Sequence, residues 1–267
     1  MAVVARRFEG KTAVVTGGAG DIGLATAKRL AEEGASIALL DVKEDGLSAA
    51  TESLDATKAT VRTYVCDVTD MSAVRSVVAK VVEDFGSIDL LFNNAGYQGL
   101  FKPVHDYPAD DFAKVIEVNL TGAFHVLKAV AEQMVAQNSG AIVNTASMAG
   151  VEGPPNMAAY GASKFGVVGL TQTASKDLAL YNIRVNCISP AFMGPGYMWD
   201  RQVELQAKAN TQYFSSDPKK VAEEMIGAVP MRRYGDIGEI PGTVAFLMSD
   251  DSSYTTGVNV PISGGIL

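Results

Sequence analysis

Short uninterrupted apolar runs, each followed by a helical pattern, recur through most of this chain. Thr12–Thr16 is the first run; a helix over 21–33 follows and Gly34 ends it. Ser36–Leu40, Val61–Val65 and Ile88–Phe92 are the next expected strands, with helices over 45–56 and 71–85 between them. Strands with one wet face alternate polar and apolar residues, whereas strands covered on both faces need not. Parallel pairing also demands long crossovers, which helices supply. The rhythm predicts an α/β fold: a doubly wound parallel sheet with helices on both faces.

The pattern continues with a long helix over 109–137, a strand over 141–145, a helix over 158–180 and a strand over 183–188. Residues 191–236 interrupt it with Gly194, Pro195 and Gly196, and read as a substrate loop lying over the sheet. A helix over 237–248 and a strand over 258–260 close the pattern. With no linker or repeat, residues 1–267 read as one domain.

Thirty acidic residues against twenty-two basic ones give a formal charge of −8. That balance disfavours gripping nucleic acid or an anionic membrane surface. Two cysteines, Cys66 and Cys187, cannot build a disulfide framework, and with His105 and His125 they make a poor zinc set. No segment is apolar enough to span a bilayer, and Arg6-Arg7 is not followed by an apolar signal core. A cytoplasmic, metal-free protein acting on a small molecule is expected.

Between the first strand and its helix lies Thr16-Gly17-Gly18-Ala19-Gly20-Asp21-Ile22-Gly23. Glycines let backbone approach a diphosphate closely, and the helix start offers free N–H groups and a positive dipole end. Asp41 ends the second strand, where a carboxylate accepts the adenosine ribose hydroxyls and repels a 2′-phosphate. The expected cofactor is NAD. Asp67 and Val68 after the third strand, and Asn94, Ala95 and Gly96 after the fourth, lie at carboxyl ends of strands, where such sheets bind ligands.

Ser147 follows the fifth strand, and Tyr160 and Lys164 share a helix face at i and i+4. A phenol with a pKa near ~10 is a poor base at neutral pH. A neighbouring ammonium favours tyrosinate, and reaching a pKa of about 7 takes roughly 4 kcal/mol. Tyr160 then takes a proton from an alcohol while hydride leaves, and Ser147 holds the same oxygen.

Thr16-Gly17 through Gly23, Asn93-Asn94-Ala95-Gly96, Asn119, Ser147 and Tyr160-x-x-x-Lys164 together resemble the short-chain dehydrogenase/reductase superfamily over essentially the whole chain. The resemblance implies a Rossmann-type, seven-stranded sheet and a homotetramer. It makes Tyr160 the acid/base, Ser147 the stabiliser of the substrate oxygen and Lys164 the group that holds the nicotinamide ribose. Asn119 would support a proton-relay water, and Pro190 and Met193 would border the cofactor. Phe92–Gln98, Asn144–Gly150, Gly153–Tyr160, Met193–Gly196 and Gln202–Lys208 are similar to the branch of bacterial NAD-dependent polyol dehydrogenases that act on xylitol. That similarity implies oxidation of a polyol to a ketose, or the reverse. A polyol site needs several donors and acceptors besides the reacting oxygen, and Gln98, Asn156 and Gln202 are expected to supply them, with Tyr197 and Trp199 as a lid.

Three positions depart from the superfamily pattern. Asp21 stands where glycine is usual, Ala191 follows Pro190 where glycine is common, and Pro195 replaces a threonine that often touches the cofactor. Alternative readings are a short-chain reductase of a keto-acyl thioester or cyclic ketone, or a non-catalytic NAD-binding scaffold. From Gly153 to Ser175 only Lys164 is charged, and the run Ser252–Leu267 is uncharged. Helix faces that meet water normally carry charge. Ala159, Phe165, Val167 and Leu170, and the tail, are therefore expected under other subunits.

Overall fold

A computed structural model describes residues 6–266, so residues 1–5 of the expected domain and Leu267 of the uncharged tail lie outside it. Its strands are β1 (Thr12–Thr16), β2 (Ser36–Asp41), β3 (Val61–Val65), β4 (Leu90–Asn93), β5 (Gly140–Thr145), β6 (Ile183–Pro190), β7 (Met193–Gly194), β8 (Gly235–Asp236) and β9 (Asn259–Ile262). Seven form one sheet in the order β3-β2-β1-β4-β5-β6-β9, every neighbouring pair parallel. β7 and β8 pair separately over its edge.

The helices are α1 (Asp21–Glu32), α2 (Glu44–Leu54), α3 (Met71–Phe85), α4 (Ala109–Ile116), α5 (Ala123–Gln137), α6 (Ala158–Leu178), α7 (Tyr197–Ala209), α8 (Pro218–Ala228) and α9 (Ile240–Met248). Leu30, Leu47 and Leu54 of α1 and α2 pack with Ile240 and Val244 of α9 on one face of the sheet. Val74, Val78, Val130, Met134 and Ala174 of α3, α5 and α6 cover the other. β1, β2, β4, β5 and β6 are buried on both sides, which explains their apolar runs, whereas β3 at the sheet edge is largely exposed. Among the described residues no helix is long and apolar enough to cross a membrane.

The chain leaves β1 toward β3 on one side and returns to β4 on the other. The carboxyl ends of β1 and β4 thus flank the point where strand order reverses, which is where open α/β sheets bind ligands. The helix expected over 109–137 is interrupted: residues Glu117–Gly122 form a π turn between α4 and α5. One inserted residue barely disturbs an apolar periodicity, so the pattern reads through it, but the wider turn re-aims Asn119. The last helix begins at Ile240 rather than 237, because a capping box between Asp236 and Glu239 closes a 3₁₀ turn first.

An ion cluster fastens the N-terminal segment to this frame. Glu33, whose side chain is 1% exposed, pairs with Arg7 at 2.6 Å and Arg29 at 2.5 Å, and Arg7 reaches Asp251 at 3.2 Å. Burial pushes the Glu33 carboxyl up, but the two guanidiniums outweigh it and hold it below its ordinary 4.5. Ionised Glu33 therefore contributes stability fully present above the unfolded value and lost as pH falls through the lowered folded value. Glu33→Gln is expected to cost about 2 kcal/mol at pH 7, since Arg7 keeps some access to water. Thermal melts at pH 7 and pH 3 check this: the gap between wild type and variant narrows at the lower pH.

Candidate active site

The turn from β1 into α1 is shaped by close approach. Gly17 has φ +63°, and a Cβ there would stand 3.0 Å from the Asn94 side-chain nitrogen and 3.1 Å from the Ala95 Cα. A Cβ on Gly23 would collide with the Gly17 carbonyl oxygen. The Gly20 amide donates to that oxygen at 3.1 Å. The result is a bare backbone cradle at the N-terminus of α1, the form that suits a diphosphate. Asp41 leaves β2 beside it and is fixed from both sides: Ala19 N donates to Oδ2 and Lys43 N to Oδ1, each at 3.1 Å. An ionised carboxylate so held keeps lone pairs free for a diol. These residues fit a dinucleotide.

Asp21, one of the departures, is exposed and does not cap α1, whose N-cap is Gly20. Its carboxylate faces Gly196 instead, with Oδ2 2.8 Å from where a Cβ would be. It thus lies between the cradle and the start of α7. Asp67 is exposed and turned on itself, accepting from the Thr69 amide and hydroxyl. The Val68 carbonyl faces His125 Nδ1 at 3.1 Å.

Beneath the cradle runs a polar network that sequence reasoning missed. Thr16 Oγ1 accepts from the amides of Asn94 at 2.8 Å and Ala95 at 3.0 Å. Thr145 Oγ1 donates to Asn94 Oδ1 at 3.2 Å, and Lys164 Nζ donates to the Thr145 carbonyl oxygen at 2.8 Å. The loop after β4 and the lysine of α6 are therefore held in one frame. Thr16 and Thr145 end buried strands, where a threonine reads as an ordinary strand former.

Asn119, aimed by the π turn, clamps the same loop. Its Oδ1 accepts from Tyr97 N at 2.7 Å, and its Nδ2 donates to Tyr97 O at 2.9 Å and Ser163 Oγ at 3.0 Å. A Cβ on Gly96 would lie 3.4 Å from Asn119 Oδ1 and 3.8 Å from Lys164 Nζ, so glycine there keeps the space between them open. Ser147, at the end of β5, has an extended backbone, and its Oγ accepts from Ala149 N at 3.1 Å.

Burial pushes the Tyr160 phenol above its ordinary value, and a hydrogen bond with Ser147 pulls the other way. Burial also pushes Lys164 down to about 8. Lys164 Nζ lies 5.5 Å from the Tyr160 ring centroid, and its hydrogen bond goes to Thr145. Burial is the larger influence on the phenol, and the Lys164 ammonium is turned to the Thr145 carbonyl oxygen.

Tyr160 and Ser147 open onto a cavity of about 340 Å³ bordered by Ile22, Gln98, Pro190, Met193, Gln202 and Gln206, with Met157 and Phe214 behind them. Gln98 and Gln202 lie where the sequence expected. Asn156 does not line the cavity: at φ +67° it is buried behind the wall, donating to Gln206 Oε1 at 3.2 Å and Thr211 Oγ1 at 3.0 Å. The lid expectation is corrected too. Trp199 is buried between Phe192 and Tyr234 in a small core of α7 and α8, and Tyr197 is 69% exposed away from the cavity. A lone indole buries best in the core that such an excursion needs. Met198, between them, is the residue that reaches the cavity.

A cradle for a dinucleotide at the carboxyl end of the sheet, with Ser147 after β5 and Tyr160 and Lys164 on α6 beside it, defines an oxidoreductase site. Residues 11–205 match the model of the short chain dehydrogenase family, and the chain belongs to that family. It is 43% identical to levodione reductase of Leifsonia aquatica over 97% of this chain and 95% of that one. It is 36% identical to 3-oxoacyl-acyl-carrier-protein reductase FabG of Thermotoga maritima, over 98% and 99%. A crystal structure of NAD⁺-bound xylitol dehydrogenase is 66% identical, with a TM-score of 0.96 over 97% of this chain and 100% of that chain.

Proposed function

We propose that this protein is an NAD-dependent polyol dehydrogenase, interconverting a polyol such as xylitol and its ketose. The observation that carries this reading is the cavity at Tyr160 and Ser147. Three glutamine amides, Gln98, Gln202 and Gln206, border it, and Glu152 is the one charged side chain among the described residues lining it. Amides suit several hydroxyls, whereas a substrate carboxylate or an acidic carrier would meet no basic group there. The 66% likeness to a xylitol dehydrogenase supports the reading.

Gly17, Gly20, Ile22 and Gly23 would hold the diphosphate, and Asp41 the adenosine ribose. Asp67 and Val68 would flank the adenine. Asn94, Ala95, Gly96, Tyr160 and Lys164 would border the nicotinamide ribose, and Pro190 and Met193 the nicotinamide. NAD⁺, when bound, supplies the hydride acceptor and a positive charge beside the phenol. Ser147 donates to the reacting oxygen and Tyr160 takes its proton. Lys164 would pass that proton to a water supported by Asn119.

Met148, Met157, Met193, Met198, Phe192 and Phe214 also line the cavity, which favours a second reading, reduction of a cyclic ketone. An NADH absorbance assay with xylitol, sorbitol, a cyclic diketone and a keto-acyl thioester separates the two. Polyol turnover at least tenfold above the others, as kcat/KM, is the expected result. Dinucleotide binding without any turnover would instead mark a non-catalytic sensor.

The same reading includes a cytoplasmic homotetramer. Of the expected interface residues on α6, Ala159 and Val167 are buried within the subunit, while Phe165 is 47% exposed. Phe124 of α5 stands out at 45%, and Tyr254 in the uncharged tail is fully exposed. Exposed aromatics suit subunit contacts, and those on α6 and in the tail stand among uncharged residues, Lys164 aside. Sedimentation at micromolar concentration is expected to show a species of four subunits, and only a 28.0 kDa species would overturn this.

A further inference from the structure

Among the described residues that line the substrate cavity, one buried side-chain polar atom has no partner. Gln98 is 5% exposed and lines the cavity. Its Nε2 donates to Gln202 Oε1 at 3.3 Å, while its Oε1 is buried and accepts no hydrogen bond. The loop that carries it is pinned on both sides. Asn119 holds the amide and carbonyl of Tyr97, Arg201 donates to the Gly99 carbonyl at 3.3 Å, and Asp111 accepts from Leu100 N at 2.9 Å. Gly99 itself has φ +73°, and a Cβ there would run into Val115, Asp111 and Tyr107. The side chain therefore has a fixed base, and Gln202 on α7 fixes its tip.

A buried amide oxygen without a donor is costly, and the cost disappears when a ligand brings one. The reacting oxygen of the substrate is already claimed by Ser147 and Tyr160. The neighbouring Gln206 has its own oxygen occupied by Asn156. A non-reacting hydroxyl of the substrate can bring the donor that Gln98 lacks.

We propose that Gln98 Oε1 accepts a hydrogen bond from a non-reacting hydroxyl of the substrate, and that Gln202 is the positioning residue that turns this oxygen into the cavity. The pair then selects polyols over alcohols with a single hydroxyl. This rests on the polyol reading above. A site built to bond a hydroxyl rejects the analogue that lacks it far more strongly than a pocket rejects a change of size. Because the bond forms in ground and transition states alike, its loss raises KM more than it lowers kcat.

The test compares kcat/KM for xylitol with that for pentan-2-ol, a single-hydroxyl alcohol of equal carbon number, in the full protein with NAD. Fluorescence titration with NADH shows which variants keep the cofactor site. In Gln98→Met, which preserves length without the acceptor, the xylitol-to-pentanol ratio is expected to fall about 30-fold, chiefly through KM. Gln202→Leu is expected to lower the ratio similarly. Gln202→Glu, which still accepts from Gln98 Nε2, is expected to keep it within about threefold of wild type. If Gln98→Met does not bind NADH, the contrast between the two Gln202 variants decides. Wild-type xylitol turnover with an unchanged ratio in Gln98→Met, or equal losses in both Gln202 variants, would overturn this inference and leave the polyol reading standing. Wild-type turnover of other substrates but of no polyol would overturn both.

Discussion

Tyr160→Phe is expected to lower turnover about 10³-fold or more while NADH still binds. The substitution keeps the ring and its packing on α6 and removes only the hydroxyl, the group placed to exchange a proton with the substrate. General acid–base catalysis alone contributes ~10²–10⁴. Ser147 remains to hold the substrate oxygen, so a small residual rate from orientation survives. The pH dependence follows from the phenol's environment. Burial raises Tyr160 above its ordinary value, so alcohol oxidation, which needs tyrosinate, accelerates as pH rises. Carbonyl reduction, which needs the phenol, stays level until pH approaches that raised value. In Tyr160→Phe both limbs flatten. Steady-state rates from pH 6 to 10, with fluorescence titration for binding, check both points. A variant retaining a tenth of wild-type turnover would remove Tyr160 from the mechanism.

The order of elements and the placing of the candidate catalytic side chains on β5 and α6 are legible because each follows from strong local chemistry. β1, β2 and β5 are buried on both faces, so their sequences are unbroken apolar runs. Gly17 and Gly23 are required by contacts that admit no Cβ. Tyr160 and Lys164 meet because the helix period puts them on one face. Other features left no such trace. The π turn adds one residue to a long helix, and the weak helix formers Asn119, Thr121 and Gly122 do not by themselves distinguish it from an ordinary helix. Thr16 and Thr145 act through their hydroxyls on loops distant in sequence, and the type of residue alone does not reveal the partner. Trp199 was misplaced because a single aromatic beside a substrate loop satisfies both a lid and a small core. Phe192, Tyr234 and Met225, from three segments of the chain, pack around Trp199 and make the core. Asn156 was misread for a related reason: its left-handed backbone turns the amide behind the wall, toward Gln206 and Thr211.

Asp41→Ser is expected to change the ratio of kcat/KM with NAD to that with NADP by about 100-fold in favour of NADP. The carboxylate is held by the amides of Ala19 and Lys43, which present it at the edge of the diphosphate cradle. With NAD it would accept from the ribose hydroxyls, and charge-assisted bonds of this kind are worth roughly 1.5–3 kcal/mol. With NADP one hydroxyl is a phosphate, so the same carboxylate meets a like charge at short range. Removing the charge loses the first effect and relieves the second, and a combined change near 3 kcal/mol is about 100-fold. Val42 is 58% exposed beside it, so an arginine there reaches the phosphate without disturbing the core. Adding Val42→Arg is expected to extend the shift, because guanidinium pairs with phosphate in a bidentate geometry. A purely structural role is distinguishable. If Asp41 served only to tie the loop after Gly18 to β2, Asp41→Ser would loosen the cradle for both cofactors and lower both efficiencies by the same factor. An unchanged ratio in Asp41→Ser would therefore leave the preference for NAD without its physical basis.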